Sequence, residues 1–120
     1  GGRRAYGRRS EDRAQQKRAI FESIQDRKSR VEDVEANIAL LEREGLLSAP
    51  RDYTTLITAL GRRGMSQRAV SLLDAMMQRG PRPNVIHFNA TISACEAAGC
   101  WQNALALLSR MRTVGIPSDV

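Results

Sequence analysis

The chain has 120 residues, enough for one modest domain, with 42% hydrophobic, 27% charged and only 4% aromatic residues. Its net charge is +6, its two cysteines are too few for a disulfide framework, and no apolar run approaches the ~20 residues of a membrane span. This composition excludes a membrane-spanning or disulfide-stapled chain and predicts a globular protein with an aliphatic, methionine-rich core.

The basic charge is confined to the N-terminal quarter of the chain. Residues 1–30 contain ten Arg/Lys and four Asp/Glu, a balance of +6, whereas residues 31–120 contain nine of each sign. Residues 1–9 have no apolar period, so a disordered basic arm is predicted over 1–13. The arm either binds phosphate groups without sequence preference or is a solubilising tail or targeting remnant. Its candidate phosphate-binding residues are Arg3, Arg4, Arg8 and Arg9.

Residues 14–49 are predicted to form a helical extension or a degenerate capping repeat. No proline or glycine occurs between Ser10 and Glu44, and apolar residues recur at 3-and-4 spacing. Ser29 followed by Glu32 would form a capping box that divides the stretch into two helices, and one long helix is the alternative. The apolar stripe consists of Ile20, Ile24, Val31, Val34, Ile38 and Leu41.

Four further helices are predicted after this extension. Ser66 is a suitable N-cap for the second of them, and each pair of helices forms a hairpin with a glycine in the turn and a glycine at the exit. Cys95 and Cys100 flank a turn of the second hairpin, where free thiols that pack as small apolar groups are expected. The helices are predicted at about 52–62, 67–79, 86–97 and 101–113.

The two hairpins repeat at a spacing of 35 residues. Tyr53 and Phe88 are one period apart, and the segment 53–85 aligns with 88–120 without a gap. A fixed period of this length is typical of stacked-repeat proteins, in which a repeating surface carries the function. The identical pairs include Ile57 with Ile92, Gly64 with Gly99, Ala69 with Ala104, Leu72 with Leu107, Met76 with Met111 and Gly80 with Gly115.

The second helix of each hairpin carries an inward apolar stripe. A hairpin cannot bury both of its faces alone, so neighbouring hairpins must stack. The stripe of the last hairpin is therefore expected to be partly open, and a protein partner or further repeats would cover the C-terminal hairpin. The predicted stripes are Leu72, Leu73 and Met76, and Leu107, Leu108 and Met111, with Ala69 and Ala104 where helices cross closely.

Both units resemble the pentatricopeptide repeat family. The unit 85–120 begins Val85-Ile-His-Phe-Asn-Ala-Thr-Ile-Ser-Ala-Cys and continues with Gly99, Trp101, Ala104, Met111 and Gly115-Ile-Pro-Ser-Asp. The unit 50–84 contains Tyr53-Thr-Thr-Leu-Ile-Thr-Ala-Leu, then Gly64, Ala69, Met76, Gly80 and Pro83-Asn84. The resemblance covers about 70 of the 120 residues. It implies an all-α fold, an α-solenoid of antiparallel helical hairpins with an N-terminal helical extension.

The resemblance implies binding of single-stranded RNA in a mitochondrion or plastid, with one base per repeat. In this family the fifth and last residues of a 35-residue unit select the base, and for the unit that begins at Val85 these are Asn89 and Asp119. Thr54 with Asn84 would favour adenine, and Asn89 with Asp119 would favour uracil.

Two further roles are implied by the same resemblance. Arg51 and Ile86 stand at the second position of their units, where side chains clamp the bases. An arginine departs from the usual aliphatic residue there, although a guanidinium can stack on a base. Arg62 matches a position at which the family often has a phosphate-contacting lysine, but its counterpart in the next unit is Ala97.

No motif in the sequence supports catalysis, a cofactor, a metal site or a small-molecule substrate. His87, for example, has no second His, Cys or carboxylate at metal-ligand spacing. The protein is therefore predicted not to be an enzyme, although it could be an accessory domain of a larger one. The neutral repeats and their small number also favour an alternative, a structural scaffold subunit of a large organellar complex such as a mitochondrial or plastid ribosome.

Overall fold

The computed structural model describes residues 2–116, with side chains described from Ser10 onward. The described part of the chain is all-α, as predicted, and it divides into two compact units between Leu47 and Ser48. Within residues 2–116 no helix is both long enough and apolar enough to cross a membrane. The helices are α1 (Gly2–Gln25), α2 (Val31–Arg43), α3 (Pro50–Arg62), α4 (Ser66–Arg79), α5 (Val85–Ala97) and α6 (Trp101–Thr113).

The first unit contains α1 and α2, which pack against each other. Because α1 begins at Gly2, the prediction of a disordered arm is wrong for residues 2–13. From Ala5 to Gln25 the chain has no proline and a single glycine, and arginine, alanine, glutamine and glutamate dominate. These residues have high helix propensity, so a shortage of apolar side chains does not end the helix.

Two helices are present in the first unit, as favoured, but the expected capping box is absent. The N-cap residue of α2 is Arg30, and Ser29 instead donates its hydroxyl to the carbonyl oxygen of Ser23 at 2.6 Å. The turn is held by Asp26, whose carboxylate accepts the Lys28 N–H at 3.0 Å. An aspartate that bonds its own backbone two residues on replaces the glycine that the later hairpins use.

The apolar stripe of the first unit is buried except at its middle. Val31 is 48% exposed because it is the first residue of α2 and lies at the edge of the hairpin. The buried residues of this unit are Ile20, Ile24, Val34, Ile38, Leu41 and Leu46.

The second unit consists of the hairpins α3–α4 and α5–α6, whose ends lie within two residues of the predicted ones. The first helices, α3 and α5, pack side by side, and α4 also contacts α5. Pro50 is the first residue of α3, a position that suits its fixed φ and missing N–H. Asp52 then caps the helix, because its Oδ2 accepts the N–H of Ala49 at 3.0 Å and of Ser48 at 3.2 Å.

The turns inside the two hairpins contain glycine, as predicted. The prediction that Ser66 is the N-cap of α4 is wrong. Gly64 and Gly99 have φ values of 75° and 76°, in the left-handed region that other residues rarely adopt. The N-cap residue of α4 is Met65, and Ser66 is the first helical residue. Ser66 is buried, with its hydroxyl oxygen 3.7 Å from the sulfur of Cys100.

The core of the second unit follows the predicted stripes. Leu107 is 2% exposed and Met111 is 0% exposed, so the stripe of the last hairpin is closed at these positions and only Leu108 remains half-buried. Packing of α6 against α5, with Leu73 of α4 in the same cluster, buries most of the stripe. The other predicted core residues that are buried are Leu72, Leu73, Met76, Ala69 and Ala104.

Both cysteines are free thiols, as expected, with Cys95 buried and Cys100 half-buried. Burial raises the pKa of the Cys95 thiol, and the nearby Cys100 raises it further. The protonated thiol is not the nucleophilic form, so Cys95 acts as a small apolar group of the core.

The close approach of α3 to α5 depends on a glycine inside α3. A Cβ atom at Gly61 would lie 3.1 Å from the Cβ of Ala94. We expect Gly61→Leu to lower the free energy of unfolding by about 1–3 kcal/mol in urea denaturation, because the two helices must separate. Ala106→Leu, at an exposed position of α6, is the matched control. Equal unfolding midpoints for Gly61→Leu and the unsubstituted chain would contradict this account.

Candidate nucleic-acid interface

A groove of about 340 Å³ lies between α3 and α5. Its lining consists of small side chains with one cation, since Arg62 alone among the lining residues is charged. A floor of this kind admits close approach of a polymer and offers one positive charge to a phosphate. The groove is lined by Thr58, Gly61, Arg62, Ala90, Ser93, Ala94 and Ala97.

Thr54 and Asn89, two of the predicted base-reading residues, lie at one end of the groove, each on the same helix face as residues that line it. Residues four apart on a helix lie on the same face, one turn above another. Thr54 and Asn89 are both half-buried and lie one turn before groove-lining residues. The rows are Thr54, Thr58 and Arg62 on α3, and Asn89, Ser93 and Ala97 on α5.

The third predicted base-reading residue, Asn84, is exposed and is also the N-cap of α5. Its Oδ1 accepts the N–H of Ile86 at 2.8 Å and that of His87 at 3.4 Å. Capping by an asparagine oxygen satisfies backbone donors that have no partner inside the helix. The cap uses the side-chain oxygen and leaves the Nδ2 amino group as the donor for a ligand.

The hydroxyl of Thr54 makes one long hydrogen bond. It donates to the carbonyl oxygen of Pro50, four residues earlier, at 3.4 Å. A bond of this length lies beyond the usual range of hydroxyl hydrogen bonds, and the hydroxyl oxygen also keeps its capacity to accept a hydrogen bond from a ligand.

His87 occupies a position in this site that the sequence did not reveal. The ring is 1% exposed, its Nδ1 accepts the Asn84 N–H at 3.1 Å, and its Nε2 lies 2.8 Å from the carbonyl oxygen of Pro50. Because a carbonyl oxygen can only accept, Nε2 carries the proton and the ring is neutral. The repeat could have indicated this role of His87, because His87 lies one 35-residue period after Asp52, which makes the equivalent cap.

The remaining predicted site residues lie on the surface or outside the described side chains. Arg51 is exposed in the first turn of α3, and Ile86 is 57% exposed in the first turn of α5. Arg62 is exposed at the end of α3. The side chains outside the described part of the chain are those of Asp119, Arg3, Arg4, Arg8 and Arg9.

The chain is similar to a family of known repeat proteins. A model of the pentatricopeptide repeat domain matches residues 41–98 and 71–118. The chain is 40% identical over 62 residues to a chloroplastic pentatricopeptide repeat-containing protein of Arabidopsis thaliana, which covers 52% of the chain and 8% of that protein. It is 33% identical over 70 residues to the chloroplastic pentatricopeptide repeat-containing protein 10 of Zea mays, which covers 58% of the chain and 9% of the relative.

A third relative is a mitochondrial pentatricopeptide repeat-containing protein of Arabidopsis thaliana, 36% identical over 61 residues, with 46% of the chain and 9% of the relative covered. The chain thus spans less than a tenth of the length of each of these relatives. Their chloroplastic and mitochondrial names agree with the predicted location in a mitochondrion or plastid. Since the domain matches together span residues 41–118, the chain belongs to the pentatricopeptide repeat family, a family of organellar helical-repeat proteins that bind RNA and are generally non-catalytic.

Proposed function

We propose that this chain binds single-stranded RNA along the groove between α3 and α5, with one base read by each hairpin. The main support is geometric: Thr54 and Asn89, half-buried on neighbouring helices, begin rows that line one groove. Arg62 in the same lining provides a positive charge for the RNA backbone.

At the first hairpin the free groups of Thr54 and Asn84 suit adenine. The Asn84 oxygen is engaged in the helix cap, so the side chain presents its amino group. Adenine offers an acceptor at N1 and an amino group at N6 on its Watson–Crick edge. Asn84 would donate to N1, and the weakly bonded Thr54 hydroxyl would accept from N6.

At the second hairpin the pair Asn89 and Asp119 suits uracil. A carboxylate is an acceptor only, and uracil presents a donor at N3 between two carbonyl groups. Asp119 would accept from N3, and the Asn89 amide would donate to a carbonyl oxygen. The last residue of the first unit, Asn84, would therefore act as a hydrogen-bond donor, and the last residue of the second unit, Asp119, as an acceptor.

The flat faces of the bases would lie against the second residue of each unit. Ile86 is 57% exposed and Arg51 is exposed, so both side chains are accessible to a base. Stacking contributes about 1–3 kcal/mol per base. Two bases therefore fall short of the roughly 8 kcal/mol of micromolar binding, and tight binding is expected only from the longest natural form of the chain.

The test is fluorescence anisotropy with short RNAs that differ at one base, using that longest form. Asn89→Ala should weaken binding of the preferred RNA by about fivefold or more, because one base contact is lost. Ser109→Ala, at an exposed position of α6, should bind as the unsubstituted protein does. Binding with no base preference would contradict base reading.

The four arginines near the start of α1 need a separate variant. Joint replacement of Arg3, Arg4, Arg8 and Arg9 by glutamine should reduce the salt dependence of binding and leave the base preference unchanged, since phosphate contacts carry no sequence information. If this variant loses all RNA binding and Asn89→Ala has no effect, α1 provides the affinity and the groove does not read bases.

A scaffold role is the second candidate, favoured by an exposed apolar pair. Trp101 is 61% exposed and Leu105 is 64% exposed, one turn apart on α6. Adjacent exposed apolar side chains suit a protein contact better than an RNA contact. If the unsubstituted protein binds no RNA, and Trp101→Ala with Leu105→Ser abolishes co-sedimentation with organellar ribosomes, the scaffold role replaces the RNA-binding proposal.

A further inference from the structure

We infer that His87 is a positioning residue that holds the base-reading residues Thr54 and Asn84 at a set separation, an inference that rests on the proposed function. Thr54 lies in α3 and Asn84 precedes α5, so two different helices must supply one base-recognition pair. A contact that joins the starts of these helices is therefore needed to define the pair.

One buried imidazole makes that contact. The Thr54 hydroxyl donates to the Pro50 carbonyl oxygen at 3.4 Å, and His87 Nε2 donates to the same oxygen at 2.8 Å. On the other side of the ring, Nδ1 accepts the N–H of Asn84 at 3.1 Å. The two bonds of the ring thus join the Pro50 carbonyl group, one turn before Thr54 in α3, to the backbone of Asn84.

The ring cannot turn without losing both bonds. It is 1% exposed, so no bulk water is available to replace either partner. The two nitrogens are not interchangeable, because one must accept from an N–H and the other must donate to a carbonyl oxygen. The neutral Nε2–H form and a single ring orientation are therefore selected.

Capping alone does not explain a histidine at this position. Asp52, at the equivalent position of the preceding unit, caps its helix with bonds to residues only three and four positions away. The start of α5 already has the Asn84 oxygen as a cap. What His87 adds is a bond to Pro50, 37 residues earlier, and this bond crosses between the hairpins.

The bond between His87 and Pro50, here called the bridge, also affects the base-clamping residues. Arg51 follows Pro50 in the chain, and Ile86 precedes His87. Since His87 ties Pro50 to the start of α5, it also sets the gap between the Arg51 and Ile86 backbones. Recognition of one base depends on such positioning to within fractions of an ångström.

The experiment separates the cap from the bridge in the longest natural form of the chain. His87→Asn retains an acceptor near the Nδ1 position but is too short to reach Pro50, whereas His87→Gln retains a donor near the Nε2 position. We expect His87→Asn to reduce selectivity for adenine over the other bases at the Thr54–Asn84 site by about fivefold or more, with partial rescue in His87→Gln. Base selectivity at the Asn89 site is the internal control and should not change. Asp52→Asn, at the equivalent position, should retain adenine selectivity.

A spectroscopic measurement tests the bridge without RNA. The imidazole ¹⁵N chemical shifts of His87 are expected to report the neutral Nε2–H form, and an Nδ1–H form would overturn the inference directly. Unchanged adenine selectivity in His87→Asn would overturn it while the RNA-binding proposal stands. An equal loss of affinity for every RNA, with a lower unfolding midpoint, would reduce His87 to a stability role and overturn it too. Absence of any base preference in the unsubstituted protein would overturn both proposals.

Discussion

Phe88→Ala should lower the free energy of unfolding by about 3–5 kcal/mol, enough to unfold much of the second unit. Phe88 is 0% exposed and lies in a cluster to which α4, α5 and α6 all contribute. Truncation removes the aromatic ring from the junction of the two hairpins, and the surrounding helices can collapse into the cavity only in part. Urea denaturation followed by circular dichroism measures the loss. The cluster consists of Leu73, Phe88, Ile92, Cys95, Ala104, Leu107 and Met111.

Trp101→Ala is the matched control for this aromatic truncation. Trp101 is larger than Phe88, but it is 61% exposed on α6. Its truncation should therefore change the free energy of unfolding by less than about 0.5 kcal/mol. Comparable losses for the two variants would mean that α6 packs differently from the arrangement described above.

Asn84→Asp should reduce selectivity for adenine by about 1–3 kcal/mol, or roughly 5- to 150-fold, while it leaves the free energy of unfolding within about 0.5 kcal/mol. Aspartate retains the oxygen that caps α5, so the bonds to Ile86 and His87 persist. It lacks the amino group that the cap leaves for the base, and it adds an acceptor and a negative charge. Anisotropy with RNAs that differ at one base, together with urea denaturation, measures the two effects.

Asn84→Ala completes this comparison, because alanine can neither cap the helix nor donate to a base. It should lose adenine selectivity and also about 1 kcal/mol of stability. If Asn84→Asp is destabilised as much as Asn84→Ala, the capping bonds are weaker than their geometry indicates. If Asn84→Asp keeps the adenine preference, the amino group does not read the base.

The features that could be predicted from the sequence are those determined by residues close together in the chain. The 35-residue period and its turn glycines located all four helices of the second unit to within two residues, because helix periodicity and left-handed turns are local properties. The apolar stripes identified the core for the same reason. At the N-terminus residues 2–13 are helical, because helix propensity extends α1 where the apolar period is missing.

Capping was predicted less well than the helices themselves. Ser29 and Ser66 are residue types that favour the N-cap, yet Arg30 and Met65 hold those positions. Which residue takes the N-cap conformation depends on how the preceding turn packs, and each serine forms a different contact in the structure. A shift of the helix start by one residue is enough to remove a serine from the N-cap position.

By itself the sequence determined that the chain is helical and that residues 50–120 form two hairpins of one repeating type, because spacing and helix propensity are properties of residues close together in the chain. The resemblance of its repeats to the pentatricopeptide repeat family implied Thr54, Asn84 and Asn89 as candidate base-reading residues. Only the tertiary structure decided that α3 and α5 approach at Gly61 to form a groove, and that His87 reaches Pro50 across the hairpins. The physical reason is that these contacts join residues from different helices, and their geometry depends on how the helices pack.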